Sequence, residues 1–274
     1  MAVIDYAVKY NNVVDERFKT EAKSEGFVNK EFDFVGAKTV KVYNVSTSKM
    51  NDYSRTGGMS RYGTPEDLNA GTQEMTMTQD RSFTFVIDKM DEDETMGALE
   101  AGKALARQLR EVVVPEIDAY RFEKIGANAG EKATVALTAE NIYDEILKAT
   151  SHMEEKEVPL AGRQLAVTPA VYSMLKKSKE VVMETEIGQE MRAKGIVAMI
   201  DDVPVVRVPK SRLKADFIMT HSMACPSPVK LAEYKIHTDV PGVSGKLVEG
   251  RVYYDCFVLE NKKDIIYVCN KEEA

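Results

Sequence analysis

The sequence predicts an α+β fold with two subdomains, and three features of the residue pattern carry this prediction. Two segments, Thr39–Val45 and 81–87, alternate apolar and polar residues as half-buried strands do. The segment 91–124 repeats its apolar residues every three or four positions, as a helix does. A mixed helix and strand pattern follows over 135–238, and two strand-like segments return near the C-terminus.

The composition is that of an ordinary globular protein, with 274 residues, 44% hydrophobic and 30% charged. A net charge of −7 argues against a protein whose main task is to grip nucleic acid, since such proteins need clustered cations. The three cysteines form no close pair, and no segment has the pattern of a signal peptide or a membrane span. We therefore expect a protein made in the cytoplasm, without membrane contact.

The N-terminal part is dominated by a polar segment and a long connection. Residues 1–36 show no sustained period and predict an arm that another surface must order. We expect the strands Thr39–Val45 and 81–87 to pair as a hairpin, joined by a long loop over 46–80. Loops of this length without structure of their own are usually functional or held by a partner.

The predicted long helix begins at Asp91, which can cap it, with Glu94 three residues on. Pro115 lies inside this helix and predicts a bend, because proline removes one backbone hydrogen bond.

The region beyond the long helix contains three local signals. Thr168 before Pro169 predicts the start of a helix, and Asp201-Asp202 predicts the turn of a hairpin. Near the C-terminus, 251–259 and 264–268 are expected to pair through a polar turn.

No combination of residues predicts catalysis, a cofactor or a metal site. The three histidines, His152, His221 and His237, lie far apart and combine with the cysteines in no spacing typical of metal ligands. The glycines of GVSG lie in neither a phosphate loop nor a nucleophile elbow. We therefore predict that the chain is not an enzyme.

Seven segments, in their order and spacing, resemble the major capsid proteins of tailed bacteriophages with the Hong Kong 97-type fold. The resemblance is closest to proteins of phages and prophages of Gram-positive hosts, and it covers nearly the whole chain. It is carried by KYNNVVDERFK (9–19), DFVGAKTVKVYNV (33–45), MNDYSRTGGMSRYGTPEDL (50–68), TQEMTMTQDRSFTFVIDKMD (72–91), EAGKALARQLREVVVPEIDAYRF (100–122), SPVKLAEYKIH (227–237) and KLVEGRVYYDCFVLENKKDIIYV (246–268).

The resemblance implies a domain layout. It implies an N-terminal arm (1–36) and a hairpin (37–90) with an extended loop (46–80). A spine helix with a linker (91–134) and a mixed α/β axial domain (135–238) follow, and C-terminal strands (239–274) return to the peripheral domain of the spine helix.

The resemblance also implies a function and partners. The chain would form pentamers and hexamers of an icosahedral virion shell, assembled in the host bacterial cytoplasm around double-stranded DNA that it contacts non-specifically. Expected partners are portal and head-completion proteins, and a separate scaffolding protein, since no scaffolding segment precedes the arm. Some relatives crosslink through a lysine and an asparagine, but 51–80 contains no lysine, so we expect no crosslink.

Two groups of residues are predicted to contact neighbouring subunits. In the extended loop, aromatic, methionine and charged side chains suit an adaptable interface: Tyr53, Arg55, Met59, Arg61, Tyr62, Glu66, Asp67, Leu68 and Met75. On the long helix, one face carries Lys103, Arg107 and Arg110, which only Glu100 and Glu111 are placed to offset. We expect an acidic stretch of a neighbour there, with packaged DNA as the weaker option.

Two other functions remain open from the sequence. An encapsulin, a bacterial compartment of similar fold that holds a cargo enzyme, would differ in the content of its particles. A soluble enzyme with a disordered insertion at 46–80 would differ in forming a small oligomer with a substrate pocket.

Overall fold

The computed structural model describes residues 22–30, 39–45, 47–56, 58, 61–65, 67, 70–94, 100–178, 196–238 and 240–270. The chain forms two compact units, one of Phe34–Met77 and the other of Met1–Asp33 with Thr78–Ala274. The first is called the loop unit and the second the main unit.

The loop unit is a two-stranded antiparallel ribbon that carries a long loop. Strand β1 (Thr39–Val45) pairs with β2 (Ala70–Thr76), and Thr39 lies opposite Thr76. The predicted hairpin between Thr39–Val45 and 81–87 is therefore wrong. The segment AGTQEMT forms β2 although it has few of the branched and aromatic residues that favour strands, because its backbone groups are paired by β1.

A three-stranded antiparallel sheet forms one part of the main unit. Its central strand is β10 (Gly245–Tyr254), flanked by β3 (Gln79–Asp88) and β9 (Val229–His237). Gly250 lies opposite both Phe83 and Tyr234, whose rings stack with centroids 6.2 Å apart. A Cβ atom at Gly250 would lie 2.3 Å from the Phe83 ring, so only glycine lets the two aromatic side chains meet.

The long helix packs on this sheet through Leu105, Leu109 and Ile117. It is continuous from residue 101 to residue 127 but contains a π-helical turn. The elements are a short helix α1 (Lys89–Glu94), then α2 (Ala101–Gln108), the π turn (Leu109–Val113) and α3 (Val114–Ala127).

The predicted single helix from Asp91 is thus wrong at its start, since Asp91 lies inside α1. The predicted bend takes the form of the π turn, in which the N–H of Val114 donates to the carbonyl of Leu109. Pro115 follows in the first turn of α3. No hydrogen bond within α3 needs a donor at that position, so α3 tolerates the proline.

A six-stranded mixed sheet forms the other part of the main unit. Two helices, α4 (Ile142–Glu155) and α5 (Pro169–Lys177), belong to it. The strand order is β4 (Glu131–Thr134), β11 (Ile266–Asn270), β8 (Phe217–His221), β5 (Arg163–Val167), β7 (Val203–Arg207) and β6 (Ile196–Ile200).

The two C-terminal strands do not pair with each other, contrary to the prediction for 251–259 and 264–268. Strand β10 joins β3 and β9, whereas β11 pairs with β4 and β8. The polar segment between them forms a 3-10 helix, Glu260–Ile265, rather than a tight turn, so the chain passes from one sheet to the other. Strand β10 lies in the three-stranded sheet and β11 in the six-stranded sheet, so the block 239–274 is divided between the two.

The six-stranded sheet is covered on both faces. Alternate residues of β8 show this, because Phe217 and Met219 pack with α4 and α5, while Ile218 packs with Phe122 and Ile125 of α3. The two predicted local signals here are confirmed. Thr168 accepts a hydrogen bond from the N–H of Val171 at the start of α5, and Asp201 and Asp202 form the β6–β7 turn with φ of 48° and 62°.

Part of the predicted N-terminal arm belongs to this core. Residues Glu25–Phe27 form a 3-10 helix, and the fully buried ring of Phe27 meets Phe122 edge to face at 5.3 Å. The prediction that all of 1–36 needs another surface is therefore wrong for 22–30. Residues 1–21 and 31–36 of the predicted arm lie outside the described residues.

Candidate functional site

The long loop of the loop unit closes on itself near its tip. The rings of Tyr53 and Tyr62 meet edge to face, with centroids 5.0 Å apart. The N–H of Ser54 donates to the carbonyl of Arg61 at 3.0 Å, and the amide of Asn51 donates to the carbonyl of Tyr62 at 3.4 Å. The loop therefore has local structure of its own, which the sequence did not predict.

This closure leaves large side chains on the surface. Tyr62 is 83% exposed and Tyr53 is 51% exposed, and Arg55, Arg61 and Asp67 are exposed as well. Such aromatic and arginine side chains are typical of protein interfaces.

The remaining predicted loop contacts have different outcomes. Met75 lies on β2 and is only 1% exposed, so its prediction as an exposed contact residue is wrong. A methionine at an inward position of an alternating strand is more favourably buried than presented to water. Met59, Glu66 and Leu68 lie outside the described residues.

The basic face of the long helix is present as predicted, and its cations pair within the helix. Lys103 lies 3.2 Å from Glu100, Arg107 lies 2.9 Å from Glu111, and Arg110 lies 3.5 Å from Glu111. Hydrogen bonding to Arg107 lowers the pKa of Glu111. All three cations lie on an exposed surface, where ion pairs of this kind are weak.

A buried polar cluster joins the long helix to the N-terminal segment, and the sequence did not predict it. Asp118 is fully buried, and its carboxylate oxygens accept from the N–H of Lys23 at 2.9 Å and the N–H of Ser24 at 3.2 Å. The hydroxyl of Ser24 donates to the same carboxylate at 2.6 Å, and Arg212 donates to it at 3.0 Å. Hydrogen bonds to a carboxylate are among the stronger ones in proteins, so this set holds the buried side chain firmly in place.

Arg121, one turn further along α3, extends the same cluster. Its guanidinium donates to the hydroxyls of Ser24 and Ser227 at 2.9 Å each, and to Glu25 at 3.1 Å. Burial acts to raise the pKa of Glu25, but the charges of Arg121 and Lys30 outweigh it and lower the pKa below the ordinary value. The cluster therefore fastens 23–25 to α3.

A second buried carboxylate fastens the chain where it enters β3. Asp255 accepts from the N–H and hydroxyl of Thr78 at 2.7 and 3.0 Å, and from the hydroxyl of Tyr120 at 2.7 Å. Burial and the contact with Asp255 raise the pKa of Tyr120 well above its ordinary value, so the phenol remains a donor. Asp118 and Asp255 thus fix residues on both sequence flanks of the loop unit, at 23–24 and at 78.

One sequence signal could have revealed the first cluster. Asp118 and Arg121 occur at the same three- and four-residue steps as Ile117, Phe122 and Ile125, which places them on the buried face of α3. Charged residues at such positions are nearly always paired, so their partners were predictable in kind although not in identity.

The described residues offer no reactive or membrane-spanning feature. Burial raises the pKa of the Cys225 thiol well above its ordinary value and that of Cys256 to about 12, which leaves both thiols protonated and unreactive. Within the described ranges, no group of three histidine, cysteine or acidic residues is placed to hold a metal ion. None of the helices in those ranges has the length and apolar character that a bilayer crossing requires.

Comparisons with known proteins identify the fold. No protein-family description and no curated protein matches the chain. Among solved structures, one of Mycobacterium phage Che8 matches with a TM-score of 0.71 at 17% identity, over 91% of each chain. The capsid structure of cyanophage P-SCSP1u matches with a TM-score of 0.66 at 13% identity, over 92% of this chain and 88% of that one.

A virus-like particle from Pyrococcus furiosus also matches, with a TM-score of 0.61 at 10% identity, over 97% of this chain and all of that one (100%). Structures of phage capsids recur among the matches. The predicted α+β fold is confirmed, and the chain has the fold of the phage capsid proteins that its sequence resembles.

Proposed function

We propose that the chain is the major capsid protein of a tailed bacteriophage, which self-assembles into the icosahedral head enclosing double-stranded DNA. One observation carries this proposal: the match to phage capsid structures extends over about nine tenths of the chain. A match of that extent includes both sheets and the long helix, rather than a common supersecondary motif.

The loop unit and the long helix support the proposal. A protein that functions alone has little use for a two-stranded ribbon whose loop exposes two tyrosines and two arginines, whereas a shell subunit gains contact area from it. We propose that Tyr53, Tyr62 and their exposed neighbours contact an adjacent subunit. Lys103, Arg107 and Arg110 would receive an acidic stretch of a neighbour.

Further partners belong to the same proposal. They are a separate scaffolding protein, a portal, head-completion proteins and non-specifically contacted DNA, with assembly in the host bacterial cytoplasm. The layout of arm, extended loop, spine helix and axial domain is proposed with the division of 239–274 described above. A catalytic function is not part of it.

An encapsulin-like compartment is the second candidate, and the match to the Pyrococcus furiosus particle favours it. The higher TM-score of the phage structure, 0.71 against 0.61, favours the phage capsid.

Expression of the chain with and without the neighbouring genes of its genome, followed by electron microscopy, tests the proposal. Closed icosahedral particles are expected. Packaged DNA supports the phage head and a protein cargo the compartment, whereas a chain that stays monomeric under all assembly conditions contradicts both.

A further inference from the structure

Charges of opposite sign lie at the two ends of strand β5 in the six-stranded sheet. Before β5, the chain carries an acidic corner, defined as Glu154, Glu155 and Glu157 with the exposed Leu160. After β5, it carries a cationic pair, Lys176 and Arg207. Strand β5, which lies between them in the chain, has five residues and spans about 13 Å at 3.3 Å per residue.

The cationic pair is held in place by a buried ring. Lys176 lies 5.0 Å and Arg207 lies 4.9 Å from the ring centroid of Tyr172. Arg207 lies opposite Val167, the last residue of β5, which fixes its position at that end of the sheet. Both cations are exposed, and neither forms an ion pair with any residue that the structure describes. Both cations therefore present charge on the surface of the part of the chain that the structure describes.

The acidic corner contradicts two local preferences of its own subunit. Helix α4 ends in a Schellman motif, in which Val158 N–H donates to the carbonyl of Met153 and Glu157 N–H donates to that of Glu154, at 3.0 and 2.9 Å. Glu157 occupies the left-handed position of this motif, with φ of 54°, where glycine is usual. Glu154 and Glu155 also place negative charge at the negative end of the helix dipole.

Neutralisation inside the subunit is incomplete. Arg163 approaches Glu154 only to 3.9 Å, and Lys156 reaches toward Asp264 at the same distance. Within the described part of the chain, Glu155 and Glu157 form no ion pair. Residues that break local rules without a gain inside the fold are expected at sites of interaction.

We propose that the acidic corner of one subunit docks on the cationic pair of a second copy. Because the two sites lie at opposite ends of one strand, the contact is head to tail. Repeated contacts of this kind form a ring where the rotation between copies closes, and a filament where it does not. A net charge of −7 makes such a cationic site valuable for bringing acidic copies together. The inference rests on the proposed function, since it assigns one contact of the same assembly.

A charge-swap experiment tests the contact. The variants are Lys176→Glu with Arg207→Glu, Glu155→Lys with Glu157→Lys, and all four together. Each double variant is expected to lower the yield of rings and particles at least tenfold, measured by sedimentation and electron microscopy. The fourfold variant, which restores opposite charges across the contact, is expected to return to within about threefold of wild type. Lys230→Glu with Lys235→Glu is the matched control for net charge and should stay within about twofold.

A single substitution separates assembly from folding. Glu157→Gly relieves the left-handed backbone and removes one carboxylate, so the dissociated subunit should melt at the same or a higher temperature while assembly falls. Lower assembly with a lower melting temperature would contradict the proposal.

The remaining outcomes are decisive as well. If the wild-type chain assembles but the fourfold variant shows no rescue, this inference is overturned and the proposed function stands. The same conclusion follows if the control variant loses as much assembly as the double variants. Loss of DNA retention with normal assembly would assign the cationic pair to nucleic acid. A wild-type chain that forms neither rings nor particles overturns both.

Discussion

Ser24 and Asp118 are joined by a 2.6 Å hydrogen bond in which the serine hydroxyl donates to the carboxylate, although 94 residues separate them in the chain. The same hydroxyl accepts from Arg121 at 2.9 Å. One small side chain therefore links a buried anion to a buried cation.

Replacement of Ser24 by alanine should destabilise the subunit by about 1–3 kcal/mol, because both buried charges lose a partner. Urea unfolding of the dissociated subunit measures this. Ser173→Ala is the matched control, since that exposed hydroxyl bonds only to the carbonyl of Pro169, and it should change stability by less than about 0.5 kcal/mol. Equal effects of the two substitutions would contradict the role given to the buried cluster.

The lowered pKa of Glu25 predicts a dependence of stability on pH. Its folded-state pKa lies below the ordinary value of 4.5, so its contribution is present above pH 4.5 and is lost as the pH falls through the folded-state pKa. Calorimetry in acid should show the melting temperature of wild type falling more steeply than that of Glu25→Gln. Parallel curves would show that the carboxylate gains nothing from Arg121 and Lys30.

The β6–β7 turn offers a stabilising substitution. Asp202 adopts φ of 62°, so Asp202→Gly should raise stability by up to about 1 kcal/mol because glycine meets no steric penalty there. Asp202→Val is the opposite test, since a branched side chain strains the same backbone and should lower the melting temperature. The melting temperature is expected to be highest for Asp202→Gly, intermediate for wild type and lowest for Asp202→Val.

The exposed ring of Tyr62 tests the loop contact. Tyr62→Ala removes a side chain that is 83% exposed, so the subunit should lose less than about 1.5 kcal/mol, the upper range for its edge-to-face pair with Tyr53. The yield of assembled particles should fall much further than this stability change explains. Tyr62→Phe keeps the ring pair and should assemble like wild type, and normal particles from Tyr62→Ala would remove the tyrosine from the proposed interface.

The basic face of the long helix has its own test. Reversal of Lys103, Arg107 and Arg110 to glutamate should abolish or strongly reduce assembly if an acidic stretch of a neighbour packs there. Because the intrahelical pairs are exposed, the melting temperature of the dissociated subunit should change far less than the yield of particles. Particles of normal yield and shape would refute the contact.

The local signals at Thr168 and at Asp201-Asp202 predicted local structure correctly, whereas the helix start at Asp91 and the pairings between distant strands were predicted poorly. Asp201-Asp202 gives a hairpin turn because the backbone conformation depends on those two residues alone. The partner of β1 is whichever distant strand completes its hydrogen bonds. The alternation in 81–87 is a clearer strand pattern than that of β2, although β2 is the strand that pairs with β1. Sequential strands were assumed to be neighbours, which failed for β10 and β11 because Glu260–Ile265 folds as a 3-10 helix between them.

Exposed side chains were easier to predict from the sequence than the buried anchors. Tyr53, Tyr62 and the cations of the long helix are exposed, and their contact with a neighbouring subunit remains a prediction. Asp118 and Arg121 fall on the buried face of α3 by their spacing, but the sequence does not show which residues pair with them. The packing of Phe27 on Phe122 brings the N-terminal segment to that face.

The π turn at Leu109–Val113 determines which way the second half of the long helix faces. An α-helix turns by about 100° per residue, so a buried residue at every fourth position would drift steadily around its axis. The wider turn absorbs one residue, with Val112 on the outside at 45% exposure, and thereby brings Ile117, Arg121 and Ile125 back toward the core. A regular α-helix through all of these residues would rotate everything after it by about 100° and turn Asp118 away from Ser24, whereas deletion of Val112 should remove the absorbed residue and leave Asp118 facing Ser24.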